Sequence, residues 1–531
     1  MVKLLLKYKA DINAQDDDHI SPIVYSYKSV EVIKTLLAYG ANLNAKNSGN
    51  TLLWMAVADF QNAGPGVIEF MITNGVDVSI CGTEPISDAV LLDNTNVTKL
   101  LLPLYAKAGN PEVRRGFHYV LAEVMEGDKG GMVKAMFGML LQYPTNDLQK
   151  AIIADDIATI NTLLLNDPAS VNAKDYFDWS PLHLAAITGT AKAAELLIAH
   201  GADVNARDEM DNTPLLWAAF FGHEPMVDLL LAHKADVNAL GNKGNAASSL
   251  YSTMSLELAI RNGFSSIALK LITNGADLAP HDWWQNSPLH IATEKTNIEV
   301  MKALLSHAAK IDSTRCIGNN QTPLDIAICG DSPEAVDLLI AHGASLETQI
   351  CQLNGGKMTL FHLWAERGSN TNIAARLLSA GCDPNATNEN GQTPLHIAIR
   401  RWKCTFRPDP TTFKQLSLTN RVPMKWNLYD SGGESVIWLL NHRAQANAKD
   451  TNGQTALHII AKTANTKAIQ FLLNHGADIN SRDKNGKTPL ELMEDYKIAC
   501  HNDWHGSPIP DFKPAEDLLL TNNAIGAIQS P

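Results

Sequence analysis

The chain has 531 residues, enough for three or four ordinary domains of roughly 150 residues each. A composition of 45% hydrophobic, 19% charged and 6% aromatic residues excludes a chain disordered throughout. Its net charge of −13 argues against nucleic acid, because phosphate binding needs a basic footprint.

No run approaches about 18 apolar residues, so no membrane span is expected. The opening MVKLLLKYKADINAQ has only a short leucine stretch and no small-residue cleavage site, which argues against a secretory signal. The cysteines at 81, 316, 329, 351, 382, 404 and 500 form no C-x-x-C pair and read as thiols of a reducing cytosol.

Taken in order, residues 1–80 contain three versions of one closing phrase: KADIN (9–13), GANLN (40–44) and GVDVS (75–79). Met1 falls inside a helix with Val2, Leu4, Leu5 and Leu6, and no partner helix precedes it. An upstream segment is therefore expected. Residues 81–146 keep only helical periodicity. The 93 residues from Ser79 to Asn172 make three units of 31, so two closings are hidden there. A Met-rich helix, Met132 to Leu141, reads either as repeat core or as an adaptable partner surface.

From 147 to 490 the phrase is regular: PASVN, GADVN, KADVN, GADLA, AAKID, GASLE, GCDPN, RAQAN and GADIN, most often 33 residues apart. An opening phrase accompanies it: SPLH (180–183), TPLL (213–216), SPLH (287–290), TPLD (322–325), TPLH (393–396), TALH (455–458) and TPLE (488–491). Ser or Thr before Pro starts a helix, since the hydroxyl caps and Pro wastes no donor. In the unit Asp175 to Arg207, Leu182, Leu184, Ala185 and Ala186 form one apolar stripe, and Ala194, Leu196, Leu197 and Ile198 a second. Gly189 breaks between them and Gly201 ends the second as a left-handed cap. Residues 491–531 predict a loop with Pro508, Pro510 and Pro514, then a capping helix over 515–520.

These phrases resemble the ankyrin repeat, T-P-L-H-x-A followed by two helices and G-A-D-V-N-A at a period of 33. The resemblance is specific for 147–490, degenerate for 1–80 and weakest for 81–146. It implies an all-α solenoid of about fifteen helix-turn-helix units with hairpin fingers, in one array or two. The expected divisions are 1–80, 81–146, 147–490 with an insertion at 403–433, and a C-terminal capping repeat at 491–531. A further enlarged finger is expected at 241–254.

The resemblance also implies a non-enzymatic scaffold that binds one or more proteins through a concave face. That face takes its side chains from the fingers and the ends of the first helices. The residues at these positions are Tyr176, Phe177, Trp179, Met210, Phe220, Phe221, Trp283 and Trp284. Solvent-facing aromatics would make a partner groove; the alternative is that they pack against neighbouring fingers. Trp54, Trp217 and Trp364 fall on inward positions and are expected in the core. The resemblance assigns His183, His290, His396 and His458 to hydrogen bonds between adjacent repeats rather than to a metal.

The insertion carries Arg401, Lys403, Arg407, Lys414, Arg421 and Lys425 among Trp402, Phe406, Phe413, Trp426 and Tyr429. It reads either as a contact for an anionic surface, an acidic peptide or phospholipid headgroups, or as a loop folded over the convex back. No catalytic constellation, cofactor site or metal site is expected. Gly486-Lys487-Thr488 lacks the upstream glycine of a phosphate loop, since position 481 is Ser. His501 and His505 lack the glutamate of a zinc protease helix, since position 502 is Asn. A second reading makes the chain the repeat portion of a modular effector or enzyme whose catalytic domain lies upstream of Met1. Irregular arrays rich in Asn, Lys and Ile resemble those of intracellular bacteria and large DNA viruses. The location expected is the cytoplasm, or a host cytoplasm for a secreted effector. Oligomeric state is left open.

Overall fold

The computed structural model describes residues 8, 10–17, 20–47, 50–82, 84–92, 94–107, 141, 146–175, 178–241, 253–280, 285–315, 320–346, 350–351, 357–367, 370–402, 431–502 and 512–529. They divide into two compact units, Met1–Asp277 with His281–Trp283, and Leu278–Pro280 with Trp284–Pro531. Both are built from helix pairs. Apart from two-residue antiparallel ribbons pairing 46–47 with 50–51 and 350–351 with 357–358, and single bridges pairing 241 with 253 and 315 with 321, the regular elements of the described residues are helices.

The opening phrase explains each inner helix. In Pro181–Thr188, the Ser180 hydroxyl accepts from the His183 amide, and the His183 ring accepts from the Ser180 amide. This is a capping box with histidine in the place usually taken by glutamate. Thr322 with Asp325, and Thr488 with Glu491, make the same pair. The fourth position thus calls for an acceptor. Gly189 ends the helix at φ 75°, as its sequence position predicts.

The outer helix Ala191–Ala199 follows directly and ends at Gly201, φ 88°. Of its predicted stripe, Ala194 and Leu197 are fully buried, whereas Leu196 and Ile198 are only half-buried. Ala193 joins the core instead. The second unit repeats the scheme with inner helices Pro288–Glu294, Pro323–Cys329, Leu360–Arg367, Pro394–Arg401 and Ala456–Ala461. Their outer partners are Ile298–Ser306, Pro333–Ala341, Thr371–Ser379, Ser431–Asn441 and Thr466–Asn474.

The closing asparagine links successive units. Asn172 Oδ1 accepts from the Asp203 amide at 2.9 Å, Asn205 from Asp236 at 2.8 Å, and Asn447 from Asp478 at 2.7 Å. Turn glycines link them sterically. A Cβ on Gly189 would lie 2.6 Å from the His223 ring, and one on Gly222 would lie 2.5 Å from Phe264. Each ring covers the glycine of the preceding repeat. This close stacking is why the buried helix positions are so often alanine.

Trp217 and Trp364 are fully buried, as their inward positions predict, and Trp54 is half-buried with its indole N–H on Asp88. The C-terminal expectation needs correction. Pro489–Asn502 is one helix running through His501, and the last helix spans Lys513–Gln529 rather than 515–520. Phe512, Ala515 and Leu519 are buried where the final helix packs on Thr466–Asn474 and Pro489–Asn502. The Met-rich segment 132–140, the body of the 241–254 finger and 403–430 lie outside the described residues.

Candidate protein-binding face

Four fingers are turns organised by one acid or amide three residues after the closing asparagine. Asp208 Oδ1 accepts from the amides of Met210 and Asn212, and Asp450 Oδ1 from those of Asn452 and Gln454. Asn388 and Asp483 do the same. Consecutive fingers then pair through the backbone. The Thr451 amide donates to Asn390, and the Lys484 amide to Asn452, both at 2.9 Å. Gly391 and Gly453 sit at positive φ where a side chain would strike those amides, at 3.0 and 2.8 Å. Gly486-Lys487-Thr488 belongs to such a finger, with Lys487 ion-paired to Asp495.

Histidines tie five of the inner helices to the next finger. His183 Nε2 donates to the Asn212 carbonyl at 3.0 Å, His290 to Gln321, His396 to Gln454 and His458 to Lys487. With Nδ1 accepting from the capping amide and Nε2 donating, only the neutral ring fits. Burial drives His183, His290 and His362 down to about 4 and lowers His396 and His458. His362 makes the same bonds, to the Thr359 amide and the Gln392 carbonyl, and was missed in the sequence because TLFH lacks the proline. Asp325 accepts from its cap but cannot donate onward.

The predicted aromatic cluster is only partly on the surface. Trp179, Met210 and Phe220 are buried, which corrects the expectation that they face solvent. Trp179 immediately precedes a capping serine, the position whose carbonyl is drawn into the stack elsewhere. Its ring meets Trp217 edge-on at 6.2 Å. Phe220 is held edge-on by Trp217 at 6.1 Å and Phe221 at 5.1 Å. Trp217 in turn donates to Asp208, whose carboxyl burial raises to about 6. Phe221 remains half-buried, stacked on His223. Tyr176, Phe177, Trp283 and Trp284 lie outside the described residues.

Of the basic set, Arg401 is described. It is half-buried at the end of its inner helix, where burial lowers its pKa. Lys403, Arg407, Lys414, Arg421 and Lys425 lie outside the described residues. Trp402 anchors the start of the insertion: its ring lies beside Gly433 and Phe471, and its carbonyl accepts from Asn465 at 2.7 Å. Cys329 and Cys382 are thiols whose pKa burial raises.

Paired helices, capped alike and cross-linked by repeating His and Asn bonds, define a helical-repeat protein. Ankyrin-repeat family models match residues 148–240, 256–350 and 428–493, and a second ankyrin model matches 363–401. The chain belongs to the ankyrin-repeat family. It is 36% identical over 115 residues to the putative ankyrin repeat protein FPV031 of fowlpox virus, covering 22% of this chain and 33% of that one. It is 30% identical over 144 residues to the E3 ubiquitin-protein ligase KEG of Arabidopsis thaliana, covering 27% of this chain and 8% of the relative. The chain thus spans no more than about a third of either curated relative. The human ASB11 ankyrin repeat domain aligns with 45% of this chain and 99% of its own length, at 23% identity and a TM-score of 0.36. Among the described residues no helix is long and apolar enough to cross a membrane.

Proposed function

We propose that the chain is a protein-interaction scaffold whose fingers and inner-helix ends recognise a partner protein. One observation carries this reading: a division of labour inside each repeat. The phrase residues recur and are used up in stacking, as capping Ser and Thr, bridging His, linking Asn and close-packed Ala. The last positions of the inner helices instead differ in size and charge from unit to unit. Phe221, Arg261, Glu294, Cys329, Arg367 and Arg401 occupy them, all exposed or half-buried. Stacking alone requires no such variety. Tyr176, Phe177, Trp283 and Trp284 hold finger positions by sequence.

The test is affinity capture with the intact chain beside Phe221→Ser. The expected result is loss of a captured protein from a variant that still unfolds cooperatively, at a somewhat lower melting temperature because the contacts to Phe220 and His223 are lost. An identical captured set from a folded variant overturns the reading.

A further inference from the structure

The inner helices Leu360–Arg367, Pro394–Arg401 and Ala456–Ala461 stack in that order. Counted from their capping threonines, Glu366, Arg400, Lys462 and Asp495 hold one equivalent position in four consecutive repeats. Arg367 and Arg401 hold the next. An acidic chain of net charge −13 therefore presents here a compact island of cations bounded by carboxylates.

Among the described residues, no carboxylate closes an ion pair on the island's cations. Among the described residues, Arg315, Arg376, Arg482 and Lys487 all have a carboxylate within ion-pair distance, whereas Arg400, Arg401 and Lys462 have none. Lys462 reaches only the Gln454 amide oxygen, at 3.4 Å. Asp450 and Asp483 attract it but are buried and bound to finger amides. Glu366 partly offsets Arg401, and Arg367 repels it. Burial disfavours the charged form of both Arg401 and Lys462. Half-desolvated cations without partners are costly, and an incoming carboxylate relieves that cost.

We propose that this island binds a short acidic segment of a partner protein, its carboxylates seated on Arg400, Arg401 and Lys462. The proposal rests on the reading that the finger and inner-helix face recognises protein. Arginine takes a carboxylate through two parallel N–H groups, so Arg400 and Arg401 supply orientation as well as charge. Packed helices lie about 10 Å apart, so Arg400 and Lys462 are matched by roughly three or four extended residues. A nucleic acid or a phospholipid surface continues beyond that length and meets Glu366 on one side and Asp495 on the other.

The test measures fluorescence anisotropy with the full chain, insertion included. The probes are fluorescein-labelled peptides of about eight residues in which Glu is absent, sparse or frequent among Leu, Ser and Gly. Phosphatidylserine vesicles and a short single-stranded DNA serve as separate arms. Affinity should rise with Glu content and fall with salt. Arg400→Gln/Arg401→Gln/Lys462→Gln should weaken it about tenfold or more at an unchanged melting temperature. If the triple variant is unstable, Arg400→Gln alone, at an exposed position, should still weaken binding measurably.

Equal affinity of a folded variant and the parent overturns the proposal. So does tighter binding of the vesicles or the DNA through the same residues. A partner released by Phe221→Ser but retained by the triple variant removes the acidic-segment assignment and leaves the face reading intact. A partner retained by both removes the face reading as well.

Discussion

Lowering the pH from 7 to 5 should destabilise the second compact unit more than the first. His183, His290 and His362 each have a folded pKa of about 4 against an unfolded value near 6.5. The folded state therefore binds fewer protons between those values, and stability present above about 6.5 is lost as pH falls toward 4. Each ring should forfeit roughly 2 kcal/mol by pH 5 and roughly 3 kcal/mol by pH 4. Asp208 acts in the opposite sense. Its folded pKa of about 6 lies above the unfolded value, so it contributes roughly 1 kcal/mol of added stability by pH 5.

In the first unit Asp208 thus offsets about half of the His183 loss. In the second, His290 and His362 together lose roughly 4 kcal/mol, and His396 and His458 shift the same way. The assay is urea unfolding by circular dichroism at pH 7, 6 and 5, with hydrogen exchange assigning the loss to a unit. His290→Gln/His362→Gln, which does not titrate, should start less stable and show a flatter slope. The reasoning fails if the parent loses under about 1 kcal/mol in the second unit, or if the double variant keeps the parent's slope.

Three further outcomes follow from the stacking. Asn447→Ala removes bonds to the Asp478 amide and the Gly476 carbonyl and should cost about 1–2 kcal/mol in chemical denaturation. Gly222→Ala places a methyl against Phe264 at a φ of 82° and should cost about 2 kcal/mol or more. Adding Phe264→Ala should relieve the steric part, giving a coupling energy in a double-mutant cycle; strict additivity would contradict the contact. Ala308→Gly relaxes a left-handed cap at φ 64° and should raise stability by about 0.5–1 kcal/mol, read as a higher melting temperature.

The period was legible, and through the family resemblance the role of His183, because each bond between repeats requires the same residue about 33 positions on; Asn205 marked the period without its linking role being read. His362 was not, because its helix starts without the proline that marks the others. The burial of Trp179 was hidden for a different reason. Its repeat position was readable, but its environment depends on Trp217, a large ring on the following inner helix. The loop read from Gly506 and Pro508 left His501 outside a helix, whereas the helix continues to Asn502. Arg401 was legible as a basic residue beside the insertion, but its grouping with Lys462 was not, because the two are neighbours only after stacking: Arg400 and Lys462 are separated by the whole insertion.

The face on which a partner is held is the central claim, and hydrogen–deuterium exchange of the chain with and without its captured partner tests it most directly. Protection on binding should fall on fingers such as 208–212 and 388–392 and on inner-helix ends such as Phe221 and Arg400. Protection confined to outer helices such as Ala191–Ala199 and Thr371–Ser379 would contradict it.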